Sequence, residues 1–246
     1  MINIQLNHRN FIEIPISQVL GNGLSACKTV MGGMESYPLG DYILPSVFLN
    51  MTGFQEQKLK CICWDLATID YHFRREMLTD LGKLGEFSSY DAKNWVFKKL
   101  MKRIDGYRCR DYSKNQVLTQ AKKQAMKDDI LNRIDGLLKD SLFNDWRQYE
   151  FFAYLGWIKG VKPEHFANEC IMEKRLKDVY EVLYKTRNRY AHNTVSYQEN
   201  LPTLHFLSSP EHEYDNIFCW FALLMLIDKI FITLYGAFLE TFELYG

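Results

Sequence analysis

Arg187-Asn188-Arg189-Tyr190-Ala191-His192 gathers the side chains of this chain best suited to work on a phosphate. A guanidinium is a planar fork that grips two phosphate oxygens at once and steadies charge building on them. Histidine titrates near neutrality without help, so His192 can give or take a proton as general acid or base. Asn188, between them, can orient the ring or a phosphate oxygen. On an ideal helix the five-residue step from Arg187 to His192 is about 140° of rotation, so the two do not share a face. To act together they need the helix to end near His192, or a second copy of the motif from a partner chain. The alternative is a helix C-terminus whose cations meet its own free carbonyls.

The motif closes a periodic helix, marked by Leu176, Val179, Leu183 and Tyr190, that starts at Pro163 or just after. Upstream, Thr52 and Gln55 have capping-box spacing, and Leu59, Ile62, Leu66, Ile69, Phe73 and Met77 predict one long helix ending near Gly82. A second helix is capped by Ser88 and Asp91 and stops at Gly106; a third runs from about Ser113 to Lys139, and a fourth from Asn144 to Ile158. A loop with Pro202 and Pro210 precedes the terminal helix, which Ser209-Pro210-Glu211 opens. Its most apolar stretch, Ile217 to Ile227, is cut by Asp228-Lys229, short of the ~20 apolar residues of a membrane span, and reads as a buried core helix. The first fifty residues hold Pro15, Pro38, Pro45 and several glycines, and Ile2-Ile4-Leu6 and Ile12-Ile14-Ile16 alternate with other residues. They predict a flank of short strands or extended segments over 1–50, followed by a helical domain over 51–246.

Arginine, a polar residue, three more residues and then histidine resembles the R-x4-H signature of HEPN domains, here Arg187, Asn188 and His192. The resemblance implies an all-α, HEPN-like helical bundle with the motif on a late helix and one more helix after it. It also implies a metal-independent endoribonuclease without a cofactor, a homodimer in which two motifs build one site, acting as a toxin or phage-defence effector with an antitoxin or regulatory partner. In such an enzyme an RNA 2′-OH attacks the adjacent phosphorus and leaves a 2′,3′-cyclic phosphate and a 5′-OH. His192 would move the proton, Arg187 would hold the nonbridging oxygens, and Asn188 would orient one or the other. Some members of the family only bind, which leaves a non-catalytic helical module for RNA or a protein as the alternative.

The charges fit an RNA partner locally rather than globally. Thirty basic and 30 acidic residues cancel, which excludes a bulk polycation. Between Lys93 and Lys127, however, eleven basic residues face two acidic ones, with Trp95, Phe97, Tyr107 and Tyr112 among them. Cations release counterions from phosphates and exposed rings stack on unpaired bases. Lys98, Lys99, Lys102, Arg103 and Arg189 are the expected RNA contacts; the alternative is a pair of solvated helix faces with the rings turned inward. His72-Phe73-Arg74-Arg75 reads as a salt-bridged face or as lining of the same cleft, and His205 and His212 as exposed loop residues. Six cysteines without a C-x-x-C pair, and a first segment without the marks of a signal peptide, predict free thiols in the cytoplasm.

Overall fold

The computed structural model describes residues 2–30, 37–80, 87–106, 117–141, 143–144, 170–171, 174–192 and 217–245. Among them the chain forms eight helices and no strand. These are α1 (Ile2–Glu13), α2 (Ser17–Val30), α3 (Tyr37–Ile69), α4 (Tyr71–Asp80), α5 (Tyr90–Gly106), α6 (Gln120–Lys139), α7 (Lys174–His192) and α8 (Ile217–Tyr245). The expected fourth helix over 144–158, the loop before α8, His205, His212, Tyr107 and Tyr112 lie outside the described residues.

The extended flank expected over 1–50 is helical where described. The alternating isoleucines conceal a stripe at helical spacing: Ile12, Ile16, Leu20, Leu24 and Cys27 are all buried, with Pro15 at the joint between α1 and α2. Gly23 lets α2 lie close on α3, since a Cβ there would overlap Val47 Cγ2. Helix α3 also starts fifteen residues before the expected Thr52 and carries Pro45 inside it. An interior proline removes one backbone hydrogen bond and costs about 3 kcal/mol. Burial of Val47, Phe48 and Met51 offsets that cost, with the Phe48 ring 5.5 Å from Trp220 and 6.4 Å from Phe221. The expected long helix to Gly82 breaks at Asp70, whose carboxylate caps α4 by accepting from Phe73 N–H at 3.0 Å. Ser89, rather than Ser88, caps α5 through Ala92 N–H at 3.3 Å. Thr119 caps α6, which starts at Gln120; Ser113, the expected start, lies outside the described residues.

Two long helices organise the rest. Helix α3 packs against α1, α2, α4, α5, α7 and α8, and α8 packs against α3, α5, α6 and α7. The stretch Ile217–Glu243 is long and apolar enough to cross a membrane, yet 78% of its most apolar window is buried inside the protein. It is the core helix of the bundle. Polar fasteners sit within this apolar frame. Asp65 accepts from Tyr235 Oη and pairs with His8 Nδ1, both at 2.7 Å, which ties α1 and α8 to α3. Asp228, in the middle of α8, pairs with Lys58 at 2.7 Å and accepts the Ile16 N–H at 2.9 Å. Cys27, Cys61, Cys63, Cys170 and Cys219 are free thiols.

Candidate active site

The end of α7 carries the motif, held by the Leu176, Tyr180 and Leu183 stripe that buries one face of the helix. Arg187 points inward and across to α3. Its Nη2 donates to Glu56 Oε1 at 3.1 Å and its Nη1 donates to Asn188 Oδ1 at 3.1 Å. Both partners of the ion pair are largely buried, 18% exposed for Arg187 and 10% for Glu56. Arg187 Nε is buried without a hydrogen-bond partner among the described residues. His192 is the last residue of α7 and exposed. The structure thus brings Arg187 and Asn188 together and leaves His192 on another face, as the five-residue step requires. Arg189 donates from Nη2 to Thr186 Oγ1 at 2.9 Å, and Tyr190, partly exposed, sets its ring edge-on to Phe48 at 6.2 Å.

Behind the Arg187–Glu56 pair lies a buried charge cluster that sequence reasoning missed. Lys93 of α5 is buried beside it, its ammonium 5.9 Å from the centroid of the Tyr180 ring. Tyr180 is buried too and donates to the Ser88 carbonyl at 2.6 Å. Glu56, Asp228, Arg187, Lys58 and Lys93 therefore place three cations against two carboxylates. Arg187 takes Glu56 and Lys58 takes Asp228, which leaves Lys93 in surplus. Burial pushes its pKa down to about 7, opposed by the attraction of Glu56 and Asp228. Burial likewise pushes the Tyr180 phenol up. A signal was present in the sequence: Lys93 stands three, four and seven residues before Val96, Phe97 and Leu100, on the apolar side of its helix, and Asp228 interrupts the most apolar stretch of the chain.

Lys93 makes stability depend on pH. Below about pH 7 its ammonium is charged in both states, and the fold bears the full cost of burying it. Between about 7 and its ordinary value of 10.5 the unfolded chain holds more protons, so stability rises with pH. Lys93→Met is expected to raise stability by a few kcal/mol at pH 6, on the order of the shift at 1.36 kcal/mol per pKa unit. Urea unfolding at pH 6 and pH 9 checks it: the gap between variant and wild type should narrow at the higher pH.

The basic segment is distributed differently from the expected patch. Lys98 is exposed. Lys99 and Lys102 pair with Glu76 at 2.5 and 3.4 Å, and Arg103 pairs with Asp70 at 3.0 Å and with Glu76 at 3.6 Å. The hydrogen bond from Lys99 is the main reason the Glu76 carboxyl sits below its usual range. Trp95 lies 5.8 Å from Phe73 with the Lys99 ammonium over it, and Phe97 is buried. Lys123 and Lys127 are buried as well. Much of the positive charge of α5 thus laces α5 to α4.

A small cavity of about 150 Å³ lies elsewhere, at the α1–α2 turn, lined by Glu13, Ser17, Asp129, Arg133, Asp228 and Lys229 among others. Three of its charged groups pair with one another, Lys229 with Asp129 at 3.3 Å and Arg133 with Asp129 at 3.8 Å, while Asp228 pairs with Lys58 and Glu13 with Arg9. Among the described residues no three His, Cys, Asp or Glu side chains converge as a metal site. No family model matches the chain, and no curated protein or solved structure is significantly similar to it.

Proposed function

We propose that the chain is a HEPN-type endoribonuclease that cleaves RNA by 2′-OH attack and works as a homodimer, with Arg187 and His192 as its catalytic pair. One observation carries the reading. A cation that merely served the helix end would reach for the carbonyls of its own last turn. Arg187 instead crosses to Glu56 of α3, and Glu56 together with the neighbouring Asn188 of α7 fixes its orientation. A pre-positioned guanidinium is what transition-state charge stabilisation needs, because the cost of ordering it is met on folding. His192, exposed at the helix end, is free to reach a substrate. Since the two lie on different faces of α7, a complete site takes Arg187 and His192 from chains related by a two-fold axis. No residue of the site needs a cation for the step. Arg187 holds the nonbridging oxygens, and His192 takes the proton of the attacking 2′-OH or protonates the leaving 5′-oxygen.

The second reading, a module that binds RNA without cutting it, draws on the same pair. With Nη2 on Glu56 and Nη1 on Asn188, the fork has fewer donors left for a phosphate. The two readings part on product chemistry. Purified protein in EDTA, given end-labelled single-stranded RNA, is expected to yield 2′,3′-cyclic phosphate and 5′-OH ends. Retention of intact RNA in a salt-sensitive complex would favour the binding module.

A further inference from the structure

Among the described residues, three of the five exposed large apolar side chains fall on one stretch. Trp64, Tyr71 and Leu78 are 62%, 71% and 62% exposed and stand seven residues apart. They belong to a stripe, Lys60, Trp64, Thr68, Tyr71, Arg75 and Leu78, stepped by threes and fours along the outer face of α3 and α4. Across the break at Asp70 the two helices stay joined by Asp70 N–H donating to the Leu66 carbonyl at 2.8 Å and Arg74 N–H to the Asp70 carbonyl at 3.0 Å, and the exposed residues continue on both sides of it. The face opposite the stripe buries Leu66 and Phe73, so the rings are displayed because the core has no room on that side.

The charges beside the rings decide what covers them. Lys60, Arg74 and Arg75 are exposed and form no ion pair with a described residue. Arg74 is steadied by Nε donating to the Ala67 carbonyl at 2.7 Å. The acids of 57–79 are all engaged elsewhere: Asp65 with His8 and Tyr235, Asp70 with Arg103, and Glu76 with Lys99 and Lys102. A second copy of this chain laid on the stripe would bring like charges together without an acid to meet them. A polyanion with unpaired flat bases matches both features, since cations take its phosphates and each ring offers a stacking platform. We propose that the outer face of α3 and α4 is a docking surface for single-stranded RNA, with Trp64 and Tyr71 stacking on bases and Lys60, Arg74 and Arg75 on phosphates. The surface runs along the helix that holds Glu56, with Trp64 about 12 Å from it at 1.5 Å per residue. It therefore leads a strand toward the end of α7, and it rests on the reading of the protein as an RNA enzyme.

Binding of a fluorescein-labelled 2′-O-methyl oligonucleotide of mixed sequence, which cannot be cleaved by 2′-OH attack, tests the proposal by anisotropy. Trp64→Ala and Tyr71→Ala are each expected to weaken binding about tenfold, and Trp64→Phe to restore most of it, because stacking tolerates any aromatic ring. Arg75→Ala should reduce the salt slope by about one. Tyr42→Ala, at a 75% exposed ring elsewhere on α3, should change nothing, and a duplex of equal length should bind more weakly. Unchanged binding in the Trp64 and Tyr71 variants overturns the proposal, even if wild-type protein cuts RNA. So does Trp64-dependent binding to phosphatidylserine vesicles in place of the oligonucleotide. Trp64-dependent oligonucleotide binding by a protein that cuts no RNA would sustain the surface and remove the catalytic reading. Loss of both removes both.

Discussion

Asp228→Ala is expected to destabilise the protein by about 3–5 kcal/mol, the usual result of removing one member of a buried ion pair. Asp228 and Lys58 are each almost fully buried, at 3% and 2% exposure. Burial pushes the Asp228 carboxyl up and the Lys58 ammonium down, and their mutual attraction opposes both shifts. Without the carboxylate, Lys58 keeps the Ile14 carbonyl and the face of the Phe54 ring, 5.3 Å from its ammonium, neither of which carries a compensating negative charge, and the Ile16 N–H loses its acceptor. An orphaned buried N–H adds to the loss. The effect should centre on the α1–α2 joint, because Ile14 and Ile16 belong to it. Pairing Asp228→Asn with Lys58→Met removes both charges and keeps an acceptor for Ile16, so that double variant should recover much of the stability. Urea denaturation of wild type, single and double variants measures all three. A cost under about 1 kcal/mol for Asp228→Ala would mean that water reaches Lys58.

Arg187→Ala is expected to lower the rate of RNA cleavage by about 10²–10³-fold, typical for a lost donor to transition-state charge. The change also strands Glu56, which is 10% exposed and loses its ion-pair partner, so folding must be separated from chemistry. Arg187→Lys does this. The ammonium keeps a positive charge beside Glu56 but lacks the planar fork, and the exchange is not conservative where two oxygens are held at once. The lysine variant should keep its melting temperature within a few degrees and the oligomeric state of the wild type by light scattering, while losing nearly as much activity as Arg187→Ala. Full activity in Arg187→Lys would make the arginine a structural tie between α7 and α3.

The helical character of the chain was legible wherever the apolar stripe was long. Leu59 to Leu66 and Leu176 to Leu183 read correctly because three- and four-residue steps place buried side chains on one face, whereas the same stepping on to Phe73 and Met77 hid the break at Asp70. The N-terminal helices did not, because Ile12-Ile14-Ile16 satisfies a two-residue period and a four-residue period at once. Pro45 concealed the start of α3, since tertiary burial of Phe48 and Met51 outweighs a proline penalty that local reasoning treats as decisive. Of the site, Arg187, Asn188 and His192 could be picked out by type and spacing. Glu56 could not, as nothing local distinguishes it from Gln57 on the solvent side of the same helix. Lys93 and Asp228 were legible as ionisable residues in apolar surroundings, but their grouping around Arg187 depends on how four separate helices pack.

Cleavage of single-stranded RNA in EDTA by wild-type protein and by His192→Ala, side by side, tests the catalytic reading most directly. His192 is exposed at the end of α7, so its removal should leave the fold intact, and light scattering compares the oligomeric state of the two proteins. The wild type should cut and leave cyclic-phosphate ends, and the variant should be slower by about 10²–10⁴-fold, the usual worth of a proton-transfer group. Equal rates for the two proteins, or no cleavage by the wild type of any single-stranded RNA, would contradict it.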